Sequence, residues 1–478
     1  MKRLLILFLA VLLAVSAVLI TSLAVGSRQE QLTHEEQILF GDPAAADGLE
    51  VSLRYGYRGY LQWFTDYTYG TPDHWETDFR CYAMQPNFSY SPLDYRGITM
   101  NVVGDYYGMD TLGDIFRMEV QAGGTVYAGM LAAYKELYDA TPEGGLTNTY
   151  IRFGDHCDYY PLAGMFELPT GGFHWNPYSE SRYLTNGKEV AEAFNAYFRI
   201  PVLEDDWLQV IVDKRSGSVS ESVDVSDPRK GADHYSMGTV GICYENTAYF
   251  TFGALTQQGN TVDTSLIPGG YGLYSFTFDD RGNVNIGSLS TRLPLDPTFA
   301  PAEMQVDREF ENLHYFSTRD GNTYLTVIDF QTMEILQQLC ILEEEDDTWQ
   351  YYRVQDGCII GITGEEKVTV WQKNDRGLFE FRFTTALQEE NKAYGLYNAG
   401  FAFDGQRLAI VNWAEKSWNP YENEDAVIVE RTCGYNLSIY TEAGCAYRGQ
   451  YISSLEPAER QWNDTHLWLH ELEVRWIS

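Results

Sequence analysis

Cysteine is scarce in this chain of 478 residues, and its spacing excludes two kinds of small stabilised domain. The seven cysteines lie at positions 81, 157, 243, 340, 358, 433 and 445, and no two of them form a Cys-x-x-Cys pair. Zinc sites and disulfide frameworks both depend on closely spaced cysteines. The sequence therefore predicts buried, apolar cysteines, with a single bridge between two strands left open as an alternative.

Motifs that define several enzyme classes are also missing. The chain has no Gly-x-Ser-x-Gly, so it lacks the nucleophile elbow of serine hydrolases. Gly187-Lys188 has neither the upstream glycine nor the following Ser or Thr of a phosphate loop, and His34-Glu35-Glu36 is not followed by the second histidine of a zinc protease. The sequence predicts no cofactor.

Basic residues are few: 33 Lys and Arg stand against 68 Asp and Glu. Two of the basic residues and none of the acidic ones precede residue 26, so the rest of the chain is strongly acidic. Such a surface repels nucleic acid and anionic lipid head groups. Nucleic acid is therefore excluded as a partner.

The longest uncharged run lies at the N-terminus, where Leu4 to Val25 follow Lys2 and Arg3. A run of about 20 apolar residues suits a bilayer crossing and exceeds the 7–15 of a signal-peptide core. Residues 1–25 are predicted to be a transmembrane anchor, with a signal peptide as the alternative. The positive-inside tendency places the rest outside the cytoplasm, on a cell membrane crossed once. Residues 26–48 are predicted to be a polar linker and residues 49–478 an extracytoplasmic domain.

Hairpins recur along that domain. Each of five segments has an alternating strand, a tight turn and a second strand; they begin at Trp207, Leu273, Tyr324, Lys367 and Tyr435. Three further hairpins turn at Asp-Gly, at positions 320–321, 356–357 and 404–405. Asp-Gly between alternating apolar residues is a strong hairpin signal.

Hairpin after hairpin gives four antiparallel strands at intervals of about 40–50 residues, which is typical of β-propeller blades. The sequence predicts a mostly β protein, a β-propeller of about six to eight four-stranded blades. A last strand from about His466 to Trp476 is expected to join the first blade. Short helical insertions are predicted over 126–138 and 187–198, the second with Val190, Phe194 and Phe198 on one face.

Two groups of residues are candidate sites. Asp279, Asp280 and Asn283 cluster in one turn and offer oxygen ligands for a calcium ion, although turns favour these residues for backbone reasons alone.

Trp175, Tyr178 and Tyr183 lie in the segment 173–183 and could stack on a sugar, although large aromatics more often pack onto their own domain.

Taken together, the apolar N-terminus and the repeated hairpins resemble the irregular, membrane-anchored extracytoplasmic β-propeller proteins of bacteria. The resemblance covers residues 205–455 and implies a fold without transferable site residues. The predicted function is a non-catalytic binding module at the cell surface, for a protein or a cell-wall glycan. The alternative is a carbohydrate-active hydrolase or lyase on the same scaffold.

Overall fold

The computed structural model describes residues 34–57, 61–71, 75–81, 97–102, 128–168, 171–175, 187–215, 218–222, 233–344, 350–364, 367–388, 399–413, 434–454 and 467–477, with isolated positions 13, 15 and 16. The predicted membrane span lies outside these residues, apart from those three positions. None of the helices within the described residues combines the length and the apolar character that a bilayer crossing needs.

Strands dominate the described residues, as predicted, and the chain divides into two compact units. One unit comprises residues 1–89 and 344–478. Its strands are β1 (His34–Gly41), β2 (Leu49–Tyr57), β3 (Leu61–Thr68), β4 (Trp75–Cys81), β19 (Gln350–Gln355), β20 (Cys358–Thr363), β21 (Lys367–Lys373), β22 (Phe379–Ala386), β23 (Gly400–Phe403), β24 (Leu408–Trp413), β25 (Gly434–Thr441), β26 (Gly444–Ser453) and β27 (Leu467–Trp476).

These strands form three antiparallel sheets, ordered β27-β2-β3-β4, β19-β20-β21-β22 and β1-β26-β25-β24-β23. The first of them, which we call the first sheet, contains the last strand of the chain: β27 pairs with β2 from Trp476 opposite Leu49 to Leu467 opposite Tyr57. The prediction that the C-terminal strand joins the first group of strands is therefore confirmed.

The other unit comprises residues 90–343. Its strands are β5 (Gly97–Val102), β6 (Leu146–Arg152), β7 (Leu162–Leu168), β8 (Gly171–Trp175), β9 (Trp207–Asp213), β10 (Ser218–Ser222), β11 (Thr239–Tyr244), β12 (Thr247–Phe252), β13 (Gly272–Phe278), β14 (Val284–Pro294), β15 (Ala300–Asp307), β16 (Asn312–Arg319), β17 (Asn322–Asp329) and β18 (Ile335–Leu342). They form the sheets β5-β7-β8, β10-β9-β6, β11-β12-β13-β14 and β15-β16-β17-β18.

Within this second unit, β11 packs beside both β5 and β15. The Thr239 hydroxyl joins β11 to β5 by donating to the Met100 carbonyl at 2.8 Å, while the Met100 amide donates to it at 3.1 Å. The leading strands of three sheets therefore lie side by side.

All eight predicted hairpins are present. Four of the five recurring units are the third and fourth strands of a meander, or the equivalent pair in the five-stranded sheet. The unit at Trp207 differs, because β9 and β10 belong to a three-stranded sheet completed by β6.

Helices α1 (Ala128–Ala140) and α2 (Gly187–Tyr197) confirm the predicted insertions. Val190, Phe194 and Phe198 are fully buried, and the Phe194 ring lies 5.7 Å from that of Phe276 and 6.1 Å from that of Phe250. The apolar face of α2 thus packs onto the β11–β14 sheet.

Residues 34–48 of the segment predicted to be a linker have regular structure. Residues 34–41 form β1, which pairs with β26, and Pro43–Ala46 form a 3-10 helix capped by the Asp42 carboxylate. The segment is polar, as a linker should be. It forms a strand because the edge of β26 supplies hydrogen-bond partners for its backbone. No pattern of side chains in the sequence indicates such a partner.

Candidate functional site

One face of the first sheet is polar and the other is apolar. Because side chains alternate along a strand, the buried Val51, Trp63, Tyr67 and Val474 pack into the core, while their neighbours point the opposite way. All four strands that carry the polar face belong to the same unit of the protein. Its side chains are therefore positioned by a continuous backbone ladder.

Two rows of side chains cross this polar face. In one row Glu473, Ser52, Asp66 and Glu76 stand opposite one another on the four successive strands. The Ser52 hydroxyl donates to Oδ1 of Asp66 at 2.6 Å. Directly opposite residues in a sheet have Cβ atoms about 5 Å apart, so the row forms a continuous line of oxygen acceptors.

The second row contains Arg54, Phe64 and Asp78. The Arg54 guanidinium lies 5.1 Å from the centre of the Phe64 ring, and Arg54 is only 8% exposed. A cation held on a ring face in this way keeps its donors in a fixed direction. The row therefore adds one positive charge, one further carboxylate and one ring surface to the acidic row beside it.

Together the rows line an open cavity of about 460 Å³. Its lining residues are Ser52, Leu53, Arg54, Phe64, Asp66, Glu76, Thr77, Asp78 and Glu473. Asp66, Glu76, Asp78 and Glu473 are solvent-exposed, whereas the stem of Arg54 is enclosed. With four carboxylates and one guanidinium, the cavity is built to accept hydrogen bonds and attract positive charge. We call it the acidic pocket.

The predicted calcium residues lie elsewhere, in the β13–β14 turn. Oδ1 of Asp279 accepts from the amides of Arg281 at 2.9 Å and Asn283 at 2.8 Å, and Oδ2 accepts from the Asn283 side-chain amide at 2.9 Å. These bonds lower the pKa of Asp279, the Asn283 side chain contributing most. The side chains of Asp279 and Asn283 thus stabilise the turn through hydrogen bonds within it, and Asp280 is exposed beside them.

The structure describes only part of the predicted sugar-stacking group. The backbone of Trp175 ends β8, opposite Gly164 on β7, and Tyr178 and Tyr183 lie outside the described residues. Across the described chain, no three His, Cys, Asp or Glu side chains are grouped to hold a metal ion.

A second polar cluster is buried in the other unit and was not anticipated from sequence. The Tyr160 hydroxyl donates to Oδ2 of Asp206, and Nδ1 of His234 lies 2.6 Å from Oδ1. The Tyr235 amide also donates to Oδ2, at 3.4 Å. Burial, reinforced by the Asp206 charge, raises the pKa of Tyr160 well above its usual range. Asp206 is fully buried and His234 is 6% exposed, so this cluster joins three loops inside the fold.

The acidic pocket was not predicted from the sequence either, although polar and apolar residues alternate along 50–54, 64–68 and 76–78. Alternation predicts a polar face but not which strands share it. The decisive partner, β27, lies some 400 residues further along the chain. Any half-exposed strand would carry a similar pattern.

Comparison with known proteins gives no family for this chain. No family model matches it, and no curated protein matches it. Among solved structures, it is similar to the periplasmic gluconolactonase PpgL of Pseudomonas aeruginosa (TM-score 0.31, 8% identity, 90% of this chain and 99% of that one). It is also similar to apo AztD of Citrobacter koseri (0.27, 7%, 89% and 97%) and to the β-propeller domain of Myceliophteria thermophila Cps50 (Swd1) (0.24, 9%, 64% and 86%). With TM-scores below 0.5, these similarities carry no argument about what this chain does.

Proposed function

We propose that this chain is a membrane-tethered β-propeller that binds, without catalysis, an amine-bearing glycan in the acidic pocket. The proposal rests on the acidic pocket. It is an open cavity that receives four carboxylates, one guanidinium and one aromatic ring from the four strands of the first sheet.

The scaffold part of the proposal rests on strand order. Four-stranded antiparallel meanders run in chain order through residues 239–294, 300–342 and 350–386. In one unit the leading strands β5, β11 and β15 lie side by side, and in the other β27 completes the first sheet. Side-by-side leading strands and a sheet that combines strands far apart in the chain are typical of propellers.

The ligand part rests on the chemistry of the pocket. Carboxylates accept hydrogen bonds from sugar hydroxyls and pair with ammonium groups, and the Phe64 ring, which Arg54 contacts, adds apolar surface to the wall of the pocket. A cavity of about 460 Å³ is large enough for one or two sugar rings. A glycan with free amino groups satisfies both the hydroxyl-accepting and the cation-attracting character of the site.

The membrane part rests on sequence alone. Lys2 and Arg3 precede 22 uncharged residues, and an acidic domain follows. A domain held outside a cell membrane in this way would meet cell-wall glycans directly.

A second candidate, a retaining glycosidase, is favoured by one observation. Asp66 and Glu76 stand directly opposite on neighbouring strands, which places their Cβ atoms about 5 Å apart, and retaining enzymes also use a closely spaced pair of carboxyl groups. However, a glycosidase acid works from a shielded, apolar pocket, whereas both of these side chains are exposed. Binding is therefore the better-supported function.

The test is a calorimetric titration of the intact protein with glucosamine oligosaccharides and with their N-acetylated counterparts. We expect the amine form to bind more tightly. In the variant Asp66→Asn/Glu76→Gln, affinity for the amine form should fall at least about tenfold, since each hydrogen bond to a charged group contributes about 1.5–3 kcal/mol. Glu442→Gln, an exposed carboxylate in the β25–β26 turn, is the matched control and should bind like the wild type.

Equal affinity of the double variant and the wild type would contradict the proposed pocket. Release of shortened oligosaccharides by the wild type, and its loss in the double variant, would instead support the glycosidase.

A further inference from the structure

Strand β1 is an added fifth strand on the edge of its sheet. It pairs with β26 from His34 opposite Ser453 to Gly41 opposite Tyr447. Its Glu36 carboxylate accepts hydrogen bonds from the hydroxyls of Tyr447 at 3.1 Å and Tyr451 at 3.0 Å. Both the backbone ladder and this side-chain contact hold β1 firmly in place.

Three consecutive apolar side chains of β1 face solvent. Ile38 is 53% exposed, Leu39 36% and Phe40 54%. The register shifts between Ile38 and Phe40, so Leu39 is the extra residue of a β-bulge. A bulge on an edge strand twists the edge away from pairing with another strand. The apolar tip of β1, defined as residues 38–40, is therefore poorly shaped to recruit a second β-strand.

The position of this tip in the chain indicates what does cover it. The apolar stretch ends at Val25, and eight residues, 26–33, separate it from His34. Fully extended, eight residues span at most about 28 Å. If the stretch crosses a bilayer, His34 at the start of β1 is held within about that distance of the membrane surface, and the tip begins four residues further along the strand.

We propose that the apolar tip of β1 rests in the interfacial layer of the bilayer that anchors the chain. The inference relies on the anchoring put forward under Proposed function. Apolar side chains gain free energy by entering the boundary between head groups and acyl chains. The Glu36 carboxylate beside the tip accepts hydrogen bonds from two tyrosines, and Arg448 stands opposite Phe40. The three residues of the tip carry no charge, so the contact suits a zwitterionic surface despite the exposed Glu35 and Asp42 on either side and the overall acidity of the domain.

The experiment uses the full chain reconstituted into phosphatidylcholine vesicles, with the photoreactive p-benzoylphenylalanine placed at one position at a time. Position 40 tests the tip and position 12 tests the predicted span. Phe381 on β22 is the matched control, because it is also a phenylalanine on an outermost strand and is 53% exposed. After irradiation, lipid adducts are counted by mass spectrometry.

We expect adducts at positions 12 and 40, with a yield at 40 at least about tenfold above that at 381, because only the former is buried in the interface. Adducts at 12 but not at 40 would overturn this inference and leave the anchor intact. Protein–protein adducts at 40 would overturn it as well, in favour of pairing between copies. Absence of adducts at position 12 would defeat the anchoring proposal, and the contact at β1 with it.

Discussion

Arg407 joins three separate parts of one unit through a single side chain. Its Nε donates to Oδ2 of Asp404 at 2.8 Å, and its Nη1 donates to the carbonyls of Ala45 at 2.9 Å and Asp47 at 3.2 Å. The guanidinium also lies 3.9 Å from the ring centre of Trp476. The N-terminal 3-10 helix, the β23–β24 turn and the last strand therefore meet on one planar group.

Removing this group should destabilise the protein more than a surface arginine normally would. We expect Arg407→Ala to lower the free energy of unfolding by about 2–4 kcal/mol, because several hydrogen bonds and a cation–π contact are lost together. Arg407→Lys should recover only part of this, since an ammonium cannot reproduce the planar fork. Urea unfolding measures both.

The matched control is Arg376→Ala, at an exposed arginine in the β21–β22 turn. It should change stability by less than about 0.5 kcal/mol, as most surface substitutions do. Equal effects at the two positions would show that Arg407 is an ordinary surface residue.

At the scale of elements, the tight turns explain why the hairpins were predictable. Asp320-Gly321 and Asp356-Gly357 each form a two-residue loop in which both residues have positive φ, 49° and 73° in the first and 48° and 72° in the second. Such mirror-image turns match the twist of the flanking strands and need Asp or Asn followed by Gly. The Asp-Gly pair alone therefore predicts the backbone conformation of the turn.

Gly321→Ala tests this requirement. An alanine at φ 73° should cost about 1–2 kcal/mol, because the Cβ atom meets the neighbouring carbonyl in the left-handed region. Thermal unfolding followed by circular dichroism reports the loss.

Gly287→Ala is the control, because a Cβ atom there would meet only Asn285 Oδ1 at 3.6 Å and the backbone is not left-handed. If both alanine variants lose the same stability, the cost lies in the glycine-to-alanine change rather than in the turn.

Several outermost strands contain an irregularity in pairing that is not visible in the sequence. The register shifts once in β22, at Arg382, and once in β1, at Leu39, and it shifts at two places in β14 and in β18, including Arg292 and Leu336. Bulges of this kind discourage edge-to-edge association. They depend on pairing between strands, so no local pattern could have located them.

Strand β1 illustrates the same limit. HEEQILFG has no alternation that marks a strand, and seven of its eight residues are exposed. Its conformation comes from the neighbouring edge of β26. The hairpins at residues 207–222 and 273–453 were predictable because their information is local, whereas β1, the acidic pocket and the Tyr160–Asp206–His234 cluster all depend on distant partners.

At the scale of the whole molecule, the acidic composition has a structural counterpart in the turns. Four turn aspartates have a pKa below the usual value because their carboxylates accept hydrogen bonds, chiefly from Ser265, Asn283, Thr298 and Thr332. The aspartates are Asp263, Asp279, Asp296 and Asp329. Part of the negative charge therefore belongs to carboxylates that stabilise loops by accepting hydrogen bonds.

This arrangement predicts acid sensitivity. A carboxylate whose pKa is lower in the folded state than the unfolded value of about 3.9 contributes stability above that value and loses it as pH falls through the folded pKa. We expect the melting temperature to decline below about pH 4. Replacing Asp263, Asp279, Asp296 and Asp329 together by Asn should flatten this decline, as measured by calorimetry from pH 6 to pH 2.5.

Asp280→Asn is the control, because within the described residues this neighbouring carboxylate accepts none of the hydrogen bonds of its turn. An acid limb of the same steepness in the fourfold variant and the wild type would assign acid unfolding to other groups.

The pairing of β27 with β2 has a consequence for how the chain is made. Because Leu49 finds its partner in Trp476, β2 leaves the ribosome long before its outer neighbour exists. Contacts of such long sequence separation form slowly and late. During synthesis the nascent hairpin β2–β3 therefore has one unpaired edge, and the first sheet is complete only after residues 467–476 have emerged.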